Sequence, residues 1–396
     1  MKSLLEITKF KTQSIPLSKI LLGGENDLSG YKYALMTGEY LRPSSRVETS
    51  PHSQLLLDYI KHKDKVLDKD FFEKTAYFKN AQTCIDLFGG YFPQIDTDET
   101  IYLAAERFIK LFNKEDVSHL PSEGHSKDGE LIEVIPLKNS DCFQLLQGNH
   151  RVAFAIANNL SHIKAKVNIR KQEITPIQFL LENLLWEQGE KILYQPLPCP
   201  ELESHWVLAR NCEDRFSRMK SFLLDTIRIE PRYTTYLDLG CYYGWFVSRF
   251  LSIGFEAYGV EKDNIPIQIG EIVFTNTKNK IFKNEIIRFF KSSNKQYDVV
   301  SCLSIMHHFM SQREKRNPQE LLKFLDKYTG KILFFEMGEE HEKWFSNSLK
   351  GWNVDTIEEW IISNTSFTKS YRLGRDSDSQ GVFAGNFNRM LFAFVK

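Results

Sequence analysis

The chain has 396 residues, 42% of them hydrophobic and 26% charged, a length for at least two domains and a composition that excludes a disordered polypeptide. Lys plus Arg and Asp plus Glu number 51 each, so the net charge is zero. That balance disfavours nucleic acid as a partner, because sequence-independent duplex binding runs on phosphate neutralisation.

Six cysteines, at positions 84, 142, 199, 212, 241 and 302, form no C-x-x-C pair, and no histidine cluster has zinc spacing. Reduced thiols, no metal and a cytoplasmic location are the expectations. Met1 to Lys9 carries no apolar leader, and no segment approaches the ~20 apolar residues of a membrane span.

In chain order, Ile15 to Ile20 reads as a short strand and Ser53 to Lys61 as a helix. Gln144 to Gln147 enters a turn, Val152 to Asn158 is helical, and Lys164 to Ile169 is a strand. Ile177 to Trp186 has apolar helical spacing. Tyr194 to Pro200, with three prolines, breaks helix and strand alike and marks a seam. Cys212 to Ile227 is again helical. Strands then alternate with helices: Tyr236 to Leu239, helix Trp245 to Ile253, Ala257 to Glu261, Tyr297 to Leu303, helix Pro318 to Tyr328, Lys331 to Glu336, and a closing strand from Arg389 to Val395. Such alternation implies a mostly parallel sheet covered on both faces.

The most informative stretch runs from Tyr236 to Phe246. A strand ends in Asp238, Leu239 and Gly240, and a helix opens just after Gly244. Gly240 permits close backbone approach to a ligand, and the N–H groups at the helix start face it. Glu261 ends the next strand, where an acid reaches ribose hydroxyls in nucleotide-binding α/β folds. A dinucleotide fold and a methyltransferase both fit this order.

The Asp-x-Gly-x-x-x-Gly pattern resembles the class I S-adenosylmethionine-dependent methyltransferases. Tyr242 stands where that family usually has its middle glycine. Tyr297 to Phe309, with Ser304 and the pair His307-His308, is similar to the family's fourth strand and its loop. Arg389 to Phe392 resembles its last antiparallel strand, and Arg210 to Phe216 its lid helix. The resemblance implies an α/β fold with a Rossmann-like seven-stranded sheet over 205–396. It also implies that Asp238, Gly240, Cys241, Tyr242, Gly244, Glu261, Lys262 and Ser304 surround S-adenosylmethionine. Methyl transfer needs a positioned acceptor and, for a hydroxyl, a base, for which His307, His308 and Glu336 are candidates, with Glu339 beside them.

In the first half, Gln147, Gly148, Asn149, His150 and Arg151 form a turn before a small-residue helix, a pattern suited to anion binding or to a structural ion pair. This resembles the ParB/sulfiredoxin-like fold, an α+β domain here spanning 1–175, followed by a connecting helix and linker over 176–204. The likeness implies a nucleotide site at Ser50, His52, Gly148, Asn149, His150 and Arg151, with ATP and Mg²⁺ as ligands and kinase activity as one outcome. The stretch between about residues 62 and 130 departs from that fold as an insertion.

The resulting expectation is an enzyme that O-methylates a small molecule or saccharide, or its phosphate, of the kind met in polysaccharide biosynthesis. Its first domain would bind nucleotide and phosphorylate the same substrate. The rival is a nucleic-acid methyltransferase served by a ParB-like module, for which the basic stretch Lys278, Lys280, Lys283, Arg288, Lys291 and Lys295 speaks best. A binding protein with a dead catalytic centre is the third option.

Overall fold

The computed structural model describes residues 10–22, 44–92, 94–114, 131–184, 190–310 and 317–396. Trp186, the amino-terminal Met1 to Lys9 and part of the expected insertion lie outside the described residues. The chain divides into two compact units, one of residues 1–182 and 198–206, the other of residues 183–197 and 207–396. The expected linker over 176–204 is therefore corrected. Pro176–Glu182 is a helix of the first unit, and the chain then enters the second, returns to the first, and leaves again. The return is anchored by chemistry the sequence did not expose. Glu201, fully buried, accepts from Ser44 Oγ at 2.7 Å and from Thr175 Oγ1 at 2.9 Å, while Cys142 Sγ reaches the Pro200 carbonyl at 3.4 Å.

In the first unit, strands β1 (Phe10–Pro16), β2 (Ile20–Leu21), β3 (Ile132–Pro136), β4 (Phe143–Gln147) and β5 (His162–Asn168) form a mixed sheet in the order β1-β5-β3-β4-β2. β1 starts earlier than expected because its seven residues pair antiparallel with all of β5. Helices α1 (Pro51–His62), α2 (Lys69–Phe72), α3 (Ala76–Phe88), α4 (Asp98–Lys114) and α5 (Asn149–Ala157) accompany it. The described part of the region read as an insertion is thus mostly helical, and its Tyr77, Ala81, Ile101 and Phe108 share one core with Leu55, Leu56 and Phe154.

The second unit holds α7 (Cys212–Ser221), which follows α6 (Pro176–Glu182) of the first, and the strands β8 (Thr235–Leu239), β9 (Glu256–Glu261), β10 (Ile281–Lys283), β11 (Tyr297–Leu303), β12 (Thr329–Glu336), β13 (Lys369–Arg375) and β14 (Met390–Val395). Their order is β10-β9-β8-β11-β12-β14-β13. β8 to β12 run parallel, while β14 pairs antiparallel with both β12 and β13. This is the expected seven-stranded sheet. Its inner strands are apolar on both sides because helices cover both faces. Phe335 and Phe394 belong to one buried cluster, and Tyr236, Phe250 and Phe334 to the other. Burying each such ring is worth about 1.5–3 kcal/mol. Tyr236 also stacks on Phe250 at 3.9 Å between ring centres, pinning helix α8 (Trp245–Ser252) to β8. A short parallel pair, β6 (Ile192–Leu193) with β7 (Val207–Leu208), precedes the sheet.

Candidate functional site

β8 delivers its carboxyl end to a turn of unusual backbone. Gly240, Tyr242 and Gly244 have φ of 65°, 53° and 75°. A Cβ on Gly240 would collide with the Ile305 side chain, and one on Gly244 would sit 2.7 Å from Ile281 Cδ1. Conformation favours glycine at both positions, and a side chain at either would have to displace the tip of an isoleucine. Tyr242 is the exception, a bulky residue in the left-handed region that costs roughly 1–2 kcal/mol. Its N–H donates to Glu261 Oε2 at 3.1 Å. Glu261 Oε1 in turn accepts from the N–H groups of Lys262 at 2.7 Å and Asp263 at 3.0 Å. Burial raises the Glu261 pKa, and these backbone donors oppose that rise.

A cavity of about 580 Å³ opens over this turn. Asp238, Gly240, Tyr242, Glu261, Lys262 and Ser304 line it, so the chain brings together six of the eight residues expected around the cofactor. Cys241 and Gly244 support the turn from behind instead: the Cys241 thiol is fully buried, and Gly244 caps α8. Asn284, Glu285, Ile286 and Ile287, after β10, add a further wall that the sequence reading did not name. Asp238 is buried and accepts from Ser301 Oγ at 2.5 Å. Burial pushes its carboxyl up to about 7, with the Ser301 hydrogen bond and the Arg215 charge acting in the other direction.

The three residues expected to act in catalysis part company. His308 lines the cavity and is exposed there. His307, one position back on α9 (Met306–Met310), is buried, with its ring 4.7 Å from that of Phe345. Its Nδ1 accepts the Gly338 N–H at 3.1 Å, which leaves the proton of the neutral ring on Nε2 and no lone pair to take another. Burial, then the Arg389 charge, holds its pKa well below the ordinary value. The base role is therefore withdrawn from His307.

It is also withdrawn from Glu336. That carboxylate is fully buried and does not line the cavity. Arg210 Nη2 donates to it at 2.8 Å, Arg215 Nη1 at 3.3 Å and Ser304 Oγ at 2.9 Å, with Arg389 Nη1 3.6 Å away. Burial alone would raise its pKa, but the three guanidinium groups outweigh it and hold the carboxyl at about 2. Glu339, also buried, is engaged with Arg375 at 3.0 Å.

Sequence reasoning missed Gln195 and had Arg210 and Arg215 only within the stretch likened to a lid helix; all three line the cavity and all three are buried. The arginine pair could have been noticed as two cations near the start of a helix. Nothing local announced that Glu336, Asp376 and Asp378 would meet them. The basic stretch from Lys278 to Lys295 is interleaved with acids in space: Arg288 faces Glu285 at 3.6 Å, Lys291 faces Glu320 at 2.8 Å, and Lys295 faces Glu256 at 3.5 Å. It presents no unbroken positive face.

In the first unit the turn residues do gather. Gly148, with φ 114°, caps α5, which opens with Asn149, His150 and Arg151. The His150 ring lies 4.4 Å from Phe108 and 4.9 Å from His52. Ser50 and His52 do not join an open pocket. Ser50 is spent as the N-cap of α1, accepting from the Ser53 N–H at 3.0 Å. His52 is buried among Tyr77, Tyr91 and Phe108, and that burial, with His150 nearby, pushes its pKa down to about 3. It is a neutral ring and offers no charge to a phosphate.

Residues 212–354 match a family model described as a methyltransferase domain. The second unit carries a methyltransferase domain. Among solved structures, the bifunctional kinase-methyltransferase WbdD matches this chain with 16% identity and a TM-score of 0.43, over 56% of this chain and 46% of that one. Magnesium protoporphyrin IX methyltransferase from Synechocystis PCC 6803, with bound SAM, matches at 10% identity, TM-score 0.34, over 47% and 79%. A SAM-dependent methyltransferase from Archaeoglobus fulgidus matches at 16% identity, TM-score 0.33, over 46% and 94%. The match to WbdD spans less than half of WbdD's own chain, and no curated protein matches the sequence. The topology of this methyltransferase, five parallel strands and an antiparallel pair at one edge, stands on the pairing itself.

Proposed function

We propose that the chain O-methylates a small molecule or saccharide, or a phosphate carried on it, using S-adenosylmethionine held across the carboxyl ends of β8 and β9. The observation that carries this reading is the edge of one cavity: a tight glycine turn with left-handed backbone, a buried acid at the end of β9, and the His308 imidazole among the lining residues. The cofactor supplies an electrophilic sulfonium methyl. The protein's share is to orient the acceptor, exclude water and take a proton. Gly240 and Tyr242 give the backbone a close approach, Glu261 is suited to ribose hydroxyls, and His308 is suited to deprotonate an acceptor hydroxyl. Incubating the full chain with methyl-labelled cofactor and a panel of sugars, sugar phosphates and small alcohols tests it. Cofactor binding without label on any hydroxyl acceptor would reject the O-methylation reading.

The first unit is proposed as a nucleotide-binding domain of the ParB/sulfiredoxin-like kind, with Gly148, Asn149, His150 and Arg151 at the start of α5 as its anion contacts. This rests on the turn alone, and a phosphotransfer role with ATP and Mg²⁺ rests on it in turn. Titration with ATP, ADP and CTP in the presence of Mg²⁺ is the check, and the absence of heat with all three rejects the site. The ion pairs of Arg288, Lys291 and Lys295 weigh against the nucleic-acid alternative.

A further inference from the structure

Tyr236 and Asp238 stand two positions apart on β8 and so share one face of the sheet. Ser301 of β11 lies opposite Asp238 in the parallel register. The three side chains are 0%, 3% and 0% exposed, and the Tyr236 ring sits in an apolar cluster with Phe250, Phe255 and Phe334. Buried hydroxyls in such surroundings are costly unless hydrogen-bonded.

Here they are bonded in a row. Ser301 Oγ donates to Asp238 Oδ1 at 2.5 Å, and the Tyr236 hydroxyl lies 2.7 Å from the same Oγ. The Leu237 carbonyl, at 3.5 Å, is a poorer acceptor for Ser301. A serine hydroxyl has a single proton. With that proton on the carboxylate, Ser301 accepts from Tyr236, and the chain of donors runs from the sheet interior to Oδ1. Each bond in such a row polarises the next. Oδ2 takes no part in the row, and Asp238 lines the cavity.

We infer that Ser301 and Tyr236 are positioning residues, a two-hydroxyl relay that ties one oxygen of Asp238 to the sheet and keeps its negative charge available to the cavity. This rests on the cofactor reading proposed above, since the ligand that gains from an anionic Asp238 is a cation. The other groups around Asp238 do not do this work alone. Burial acts first and favours the neutral acid; against it the Ser301 hydrogen bond leads, ahead of Arg215 on α7, while Glu261 on β9 sides with burial. Arg215 also serves Glu336 at 3.3 Å and Asp378 at 3.5 Å. The thiols of Cys212, Cys241 and Cys302 nearby are held neutral by burial.

The test is calorimetry of S-adenosylhomocysteine binding to the full chain over roughly pH 5.5 to 8.5, for the unaltered protein, Ser301→Ala, Tyr236→Phe and Ser301→Thr. Loss of a hydrogen bond to a charged group is expected to move the midpoint of the affinity curve up by about one pH unit in Ser301→Ala. Binding then weakens about fivefold at pH 7 and returns to within about twofold at pH 8.5. Tyr236→Phe moves the midpoint the same way by less. It keeps the ring stacked on Phe250, so it reports even where Ser301→Ala folds poorly. Ser301→Thr restores the hydroxyl and brings the midpoint back. A purely structural role predicts the same loss at every pH. That result, an unmoved midpoint in both hydroxyl deletions, or a flat profile in the unaltered chain overturns the inference while the cofactor reading stands. Failure of the unaltered chain to bind at any pH removes both.

Discussion

The Gly338 N–H donates to His307 Nδ1 at 3.1 Å, which ties the loop after β12 to the helix after β11 and fixes the tautomer of a buried ring. Adjacent positions on a helix point about 100° apart, so the same helix that buries His307 turns His308 to the cavity. His308→Ala is therefore expected to lower kcat by about 10²–10⁴-fold with cofactor affinity little changed. His307→Ala is expected to lower the unfolding midpoint and to leave turnover of the folded fraction largely intact. Steady-state rates and thermal melts of the two variants separate these outcomes, and equal kcat losses would contradict the assignment.

Gly240→Ala is expected to abolish measurable cofactor binding. The added methyl group meets Ile305, and φ of 65° disfavours any side chain. Gly351, with φ of 83° and open space around it, serves as the control, since Ala there costs only conformational strain. Dissociation constants for S-adenosylhomocysteine should differ sharply between the two variants.

Cofactor affinity should depend on pH through Asp238. Burial, first of all, pushes its carboxyl up to about 7. A cationic ligand favours the ionised form, so binding releases protons below pH 7, affinity falls as pH falls from 7 to 5.5, and it levels off above 8. Calorimetry in two buffers of different ionisation enthalpy reads the proton release directly. Asp238→Asn should flatten the profile.

Glu336 carries a pKa shift of the opposite sign, and it bears on stability. Its folded pKa of about 2 lies below the ordinary 4.5, so the stability it contributes is present above pH 4.5 and is lost as pH falls from there towards 2. Glu336→Gln removes the charge that Arg210 and Arg215 face and should cost about 3–5 kcal/mol, because buried guanidinium groups are left underpaired. Urea melts at pH 7 and pH 4 should show a smaller difference for the variant than for the unaltered chain.

The core of the methyltransferase sheet was legible because its signals are local. Asp238, Gly240, Gly244 and Glu261 sit on one continuous strand–turn–helix–strand, and backbone geometry demands them in that order. β13 escaped because Lys369, Ser370, Tyr371 and Arg372 form a half-exposed edge strand without an apolar run, and β10 because three residues carry no period. Gln195 and the ion network of Arg210 escaped for another reason. Arg210 meets Glu336 and Asp376 from 126 and 166 positions away, and no window along the chain can join them. The choice between His307 and His308 turned on the direction of a single helical step, which sequence spacing leaves open.

The path of the chain between residues 182 and 207 bears on how the protein can be taken apart. Tyr194 and Gln195 travel with the second unit, while Glu201, six positions later, is stitched into the first. No single scission liberates either unit whole. A cut before residue 183 strips the amino-terminal unit of its Glu201 clasp, and a cut after 206 strips the catalytic unit of two residues on its cavity wall. Recombining either unit with foreign partners requires carrying the neighbour's short loan of sequence along.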